Sequence, residues 1–218
     1  MEQLDFKRYW YVIFAVLGIL GVLLYFTHII VGNILYDGYE PLRQAISDLT
    51  AASSPVRDKI LIFTSIHGCF INFFGFGLLI VHLGRVNKFA ALAYVLFFIM
   101  NFISFVGYSF FPLSEEGFSG SFMDIMHLVV TGLVVILSLG SLGLFFWGYK
   151  DDPSRKYLGL AAIITLGLML IGVILTLSLP ETLLGLGERI SIYSLQLFIL
   201  VLAGALLFDK GYRKRPSE

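Results

Sequence analysis

The chain has 218 residues, with 15 Lys and Arg balanced by 15 Asp and Glu, a hydrophobic share of 58% and a mean hydropathy of +0.88. Charged residues make up 14% of it, against about 25% in a soluble domain, which excludes a soluble fold. The zero net charge removes the basic signature of a nucleic-acid binder, and the single cysteine, Cys69, excludes an intrachain disulfide.

Six apolar runs are each long enough to span a bilayer as a helix, which takes about 20 residues. They lie at about 9–36, 57–84, 88–111, 122–149, 156–179 and 188–209. The expected fold is therefore all-α: a polytopic six-helix membrane bundle forming one membrane domain over 1–218. Lys7 and Arg8 precede the first run as a signal peptide's n-region would, but the run is too long for an h-region, so it reads as a retained helix.

Lys and Arg of the connecting segments set orientation. Lys7, Arg8, Arg85, Lys88, Lys150, Arg155, Lys156, Lys210, Arg213, Lys214 and Arg215 fall on one side, and Arg43, Arg57, Lys59 and Arg189 on the other. This bias puts both termini in the cytoplasm of a plasma-membrane protein. Trp10, Tyr11, Trp147 and Tyr149 then sit at the cytoplasmic interface.

Residues 37–56 read as an outer loop holding a short helix from Pro41 to Ser53-Ser54-Pro55, with Leu42, Ala45, Ile46 and Leu49 at helical spacing. Burial of Ile46 and Leu49 should fold Ser47-Asp48 against the bundle mouth, with Arg189 as the partner of Asp48. In the second run His67 lies about 15 Å below the outer end at 1.5 Å per residue. His82 falls near the cytoplasmic end and reads as interfacial. On the third run Asn101, Ser104 and Tyr108 are expected to supply interhelix hydrogen bonds. A Pro-, Ser- and Gly-containing loop at 112–121 carries Glu115 and Glu116.

The fourth run opens with Asp124 and His127, three apart and so on one helix face, with Thr131 continuing it. The acid either fixes the imidazole tautomer in a first helical turn or orients a metal-binding or proton-transferring histidine. Ser154 is expected to cap the fifth helix. Glu188-Arg189 opens the sixth, followed by Ser191, Tyr193 and Gln196. An Arg at an outer boundary opposes the charge bias and calls for an acidic partner or a phosphate.

Three segments carry a family resemblance: Pro41-Leu42-Arg43-Gln44-Ala45-Ile46-Ser47-Asp48-Leu49, Phe111-Pro112 followed by Asp124-x-x-His127, and Gly187-Glu188-Arg189-Ile190-Ser191. In that order they resemble the bacterial and archaeal membrane family called domain of unknown function 998 (DUF998). The first segment is also distantly similar to Frag1/DRAM-type membrane proteins. Thr50-Ala51 stands where the family usually shows Gly-Ala. The resemblance implies the six-helix architecture and the importance of Ser47, Asp48, His127, Glu188 and Arg189. It implies no reaction.

Ionisable groups inside membrane segments mark function by default. The outer cluster points to a site that binds or processes a membrane lipid or small amphiphile. Ser47, Glu188, Arg189, Tyr193 and Gln196 are the expected binding residues. As an enzyme, the natural chemistry is metal-assisted hydrolysis: His67 and His127, with Asp48 or Asp124, hold a Zn²⁺ that activates water. His127, Asp124 and Asp48 are then the catalytic candidates. The alternative is a transporter, sensor or accessory subunit whose polar cluster is structural. Six helices are few for a transporter unless it forms a homo-oligomer.

Overall fold

The computed structural model describes residues 2–114, 119–178 and 180–208. Every long element in it is a helix: α1 (Glu2–Leu35), α2 (Arg57–His82), α3 (Lys88–Phe110), α4 (Phe122–Tyr149), α5 (Lys156–Ser178) and α6 (Leu184–Phe208). All six are long and apolar enough to cross a membrane, and the chain is a multi-pass membrane protein. In hydrocarbon every backbone polar group must be paired within the protein, which is why these runs are helices. Glu115, Glu116 and the Lys210–Arg215 basic cluster lie outside the described residues.

Each helix packs on its neighbours in sequence, and α6 closes against α1. The six thus form a ring in chain order. One half of the ring is filled by large apolar side chains. Phe74 and Leu78 of α2, Phe97 of α3, Phe145 of α4 and Phe198 of α6 are all essentially inaccessible. This half adjoins the short 83–87 and 150–155 connections. The other half, at the end bearing the 36–56 and 111–121 connections, buries His28, Asp48, Asp124, His127, Arg189 and Ser194. That end is called the capped end below.

Local chemistry sets the helix ends. Asn87 accepts hydrogen bonds from the N–H groups of Phe89 and Ala90 at the start of α3, and Ser121 accepts from Asp124 N–H at the start of α4. Ser154 does not cap α5. The Asp152 carboxylate takes the Ser154 and Arg155 N–H groups (2.9 and 3.2 Å), because an ionised oxygen is the stronger acceptor.

The short helix expected in 37–56 reduces to a single 3-10 turn, Ser47–Thr50. Ile46 and Leu49 are buried as expected, while Leu42 is exposed. A helix over 41–46 does not form because its carbonyls serve α6. Leu42 O accepts from Leu186 N–H (3.2 Å) and Arg43 O from Gly185 N–H (3.3 Å). These are N–H groups of the first turn, which have no partner inside their own helix. The same pairing lets α6 begin at Leu184, a turn before Glu188. Gly185 is required here: a Cβ on it would stand 2.5 Å from Pro41 O. Gly38, at φ +82°, makes the turn that sends the chain back over the bundle.

Candidate functional site

The loop over the capped end is fastened to α6 by adjacent residues. Arg189 Nη1 donates to Gln44 O (2.8 Å) and Gly185 O (3.0 Å), and Nη2 donates to Tyr39 Oη (2.6 Å). Tyr39 Oη in turn donates to Ala45 O (2.7 Å). Glu188 accepts from Ile46 N–H (2.6 Å). The Asp48 carboxylate accepts from Ala45 N–H (2.8 Å) inside the loop. Asp48 is buried as expected, but the Arg189 hydrogen bonds run to carbonyls and a phenol. A loop of turns leaves many carbonyls unpaired, and a guanidinium with five donors serves several of them at once. Burial pushes the Tyr39 phenol up to about 12, with Arg189 acting in the opposite direction. The phenol therefore stays protonated and bridges Arg189 to the loop. Ser47 opens the 3-10 turn, and its carbonyl accepts from the Thr50 hydroxyl (3.1 Å).

Asp124 organises a second loop. Its carboxylate accepts from the N–H (2.9 Å) and hydroxyl (2.8 Å) of Ser114, and from the N–H (2.9 Å) and hydroxyl of Ser119. With four donors on two oxygens, it does not serve as the hydrogen-bond partner of His127. That role falls to Phe111 O, 2.8 Å from His127 Nδ1. A carbonyl only accepts, so Nδ1 carries the proton and Nε2 presents a lone pair. Tyr108 packs beside the imidazole at 4.8 Å and donates to Thr131 Oγ1 (3.1 Å), the interhelix bond expected of it. Asn101 instead donates to Phe97 O of its own helix (2.8 Å).

His67 Nδ1 is likewise held by a carbonyl, Gly21 O of α1 at 2.8 Å. Tyr25 stands between His67 and His28, with ring centroids 5.0 and 4.8 Å away. His28 is 2% exposed. Tyr193 packs on Phe26 of α1 at 5.2 Å. Gln196 is buried, and its Oε1 lacks a partner.

The Glu188 charge acts on Tyr25 of α1, Tyr39 of the loop and Tyr108 of α3. Tyr25 also senses Tyr193 and Tyr108, and His127 senses both Asp48 and Asp124. Tyr25 of α1, His67 of α2, Tyr108 of α3 and Glu188 of α6 are each half-buried, and the 37–56 loop roofs this end of the ring.

Among the described residues, no three His, Cys, Asp or Glu side chains are grouped so as to hold a metal ion. Sequence spacing does not single out Tyr25 and Tyr39, since neither shares a motif with the charged residues. His82, read as interfacial, is 1% exposed. Its Nδ1 lies 2.7 Å from Leu78 O, its ring stacks on Tyr94 at 4.0 Å, and Tyr94 Oη meets Tyr149 Oη at 3.0 Å. It is a packing residue of the apolar half.

No curated protein and no solved structure matches the chain. A family model described as "Protein of unknown function (DUF998)" matches residues 19–205, from the second half of α1 to near the end of α6, with both polar loops between. The chain belongs to the DUF998 family.

Proposed function

We propose that this membrane protein binds a small amphiphile or lipid, with the polar head in a chamber between the helices of the capped half and the tail among the helices. The supporting observation is the set of half-buried polar side chains, Tyr25, His67, Tyr108 and Glu188, contributed by four helices. Polar groups buried in a membrane protein without a use for them are costly, and here they come from four helices on the side of the ring closed by a fastened loop. The Lys and Arg bias supports an orientation with that loop on the outer face of a plasma membrane. The ligand then enters from the outer leaflet.

Binding is favoured over hydrolysis by the occupation of the would-be catalytic acids. Asp124 is held by Ser114 and Ser119, and Asp48 by Ala45 N–H. The reading is tested with a photoreactive lipid carrying a diazirine near its head. Crosslinks should map to α1, α3 and α6 residues facing Glu188. Crosslinks confined to the bundle's outer surface, at positions such as Phe122 and Leu177, would refute it.

A further inference from the structure

We propose that a groove between α5 and α6, at the end of the bundle away from the capped end, seats an acyl chain of an anionic phospholipid. The site is separate from the polar half. Toward the capped end the two helices are in backbone contact. A Cβ on Gly172 would stand 2.6 Å from Gly187 O, and one on Gly187 would stand 2.5 Å from Thr176 N. Ser191 Oγ adds a hydrogen bond to Met169 O at 3.1 Å. At the other end the pair is open. A groove of about 370 Å³ is lined there by Ser154 and Tyr157 at the start of α5 and by Val201, Gly204, Ala205 and Phe208 of α6.

Residue size explains the gap. Tyr157 and Phe208 are large and exposed, whereas Gly204 and Ala205 offer almost no side chain. A Cβ added to Gly204 would meet nothing within 4 Å. An apolar gap left empty forfeits dispersion contacts along its whole lining. In a membrane the neighbour that fills it is a lipid tail, with the head at the level of the helix ends.

Charge selects the head. The two acids of the 150–155 connection are already engaged. Asp151 lies 2.9 Å from Lys150 Nζ, and Asp152 takes the Ser154 and Arg155 N–H groups. Lys156, next to Tyr157 at the groove mouth, is exposed and enters no ion pair among the described residues. The chain leaves the groove at Phe208, and its next seven residues carry Lys210, Arg213, Lys214 and Arg215 against one acid, Asp209. Such a basic cluster beside a membrane helix attracts anionic lipid. A zwitterionic head gains much less. On the orientation that the Lys and Arg bias supports, the lipid comes from the inner leaflet.

The test titrates purified protein in detergent with phosphatidylglycerol and with phosphatidylethanolamine of the same acyl chains, counting bound lipids by native mass spectrometry. Wild type should hold one phosphatidylglycerol at least about tenfold more tightly than phosphatidylethanolamine, and Lys156→Gln should cut that preference about fivefold. Gly204→Leu fills open space and should abolish this site with the Tm unchanged. Gly132→Leu, at an α4 glycine whose Cβ would also meet nothing within 4 Å, should leave it intact. A lipid held at the capped end survives Gly204→Leu, so the two sites are counted apart. Equal affinity for the two lipids in wild type overturns the anionic selectivity, as does a preference that Lys156→Gln leaves whole. Phosphatidylglycerol binding that survives Gly204→Leu, or that Gly132→Leu reduces equally, overturns the groove. A protein dimer that Gly204→Leu converts to monomer gives the groove to a second copy of the chain and overturns the lipid.

Discussion

The two halves of the helix ring are built from the same six helices yet solve different problems. In one half Phe145 of α4 sits at a hub of aromatic contacts, with Tyr94 at 4.8 Å, Phe198 at 5.3 Å and Phe97 at 6.3 Å. Tyr94 Oη closes on Tyr149 Oη, and His82 Nδ1 on Leu78 O. In the capped half the large apolar side chains give way to Tyr, His and Glu, and two loops fold over the opening. The apolar half holds the ring together by dispersion, since lipid removes the hydrophobic driving force between helices. It thereby supports a polar half held by hydrogen bonds between side chains and loop backbone.

That division is broken first by emptying the apolar hub. Phe145→Ala removes a fully inaccessible ring, and such truncations cost about 3–5 kcal/mol in well-packed cores. A steric-trap or thermal-unfolding measurement should show a loss of this order, with ligand preference retained in whatever protein folds. Arg189→Ala comes next. It leaves Gln44 O, Gly185 O and Tyr39 Oη without their shared donor. Hydrogen bonds to charged groups contribute about 1.5–3 kcal/mol each and are not additive, so a loss of about 3 kcal/mol is expected. Protease cleavage within 37–56 should rise sharply, while the apolar half remains protected.

Asp124→Asn is smaller, about 2 kcal/mol, because the amide replaces one of the two accepting oxygens with a donor facing Ser114 and Ser119. Proteolysis should then move to the 112–121 loop, sparing 37–56 and separating the two roof elements. Smallest is Tyr39→Phe, about 1 kcal/mol for one neutral bridge. It carries a pH signature. The buried phenol's value lies near 12, above its ordinary 10.0. Stabilisation by the neutral phenol is therefore whole below pH 10 and lost as pH rises from 10 through 12. Proteolysis of the wild-type loop should increase across that window, and the increment should be absent in Tyr39→Phe.

Much of this division was legible in the sequence, because hydropathy reports helices and charge reports their ends. The six spans and the burial of Ile46, Leu49 and Asp48 follow from apolar spacing alone. Depth along the helices also placed Glu188, Arg189, His67 and His127 toward one end. The partners were not legible. Asp124 and His127 share a face at i, i+3, yet serines of the preceding loop take the acid and Phe111 O takes the imidazole. Carbonyls exposed by turns are acceptors that sequence spacing does not reveal. The Arg189 partners were hidden for the same reason: two neutral oxygens of the returning loop, Gln44 O and Tyr39 Oη, and Gly185 O of α6 itself take its guanidinium. His82 was misread because depth says how far along a helix a residue lies and not which way it faces.

The central claim is that the polar side chains of the capped half can be reached by a small reagent and that the aromatic hub of the other half cannot. Single cysteines at Tyr25 and Tyr108, and at Phe97 and Phe145, in a Cys69→Ser background would be probed with a small water-soluble thiosulfonate. Cys69 is itself exposed and must be removed first. The account predicts rapid labelling at 25 and 108, slowed by bound ligand, and negligible labelling at 97 and 145. Equal resistance at all four positions would contradict it, leaving the polar half as closed as the apolar one.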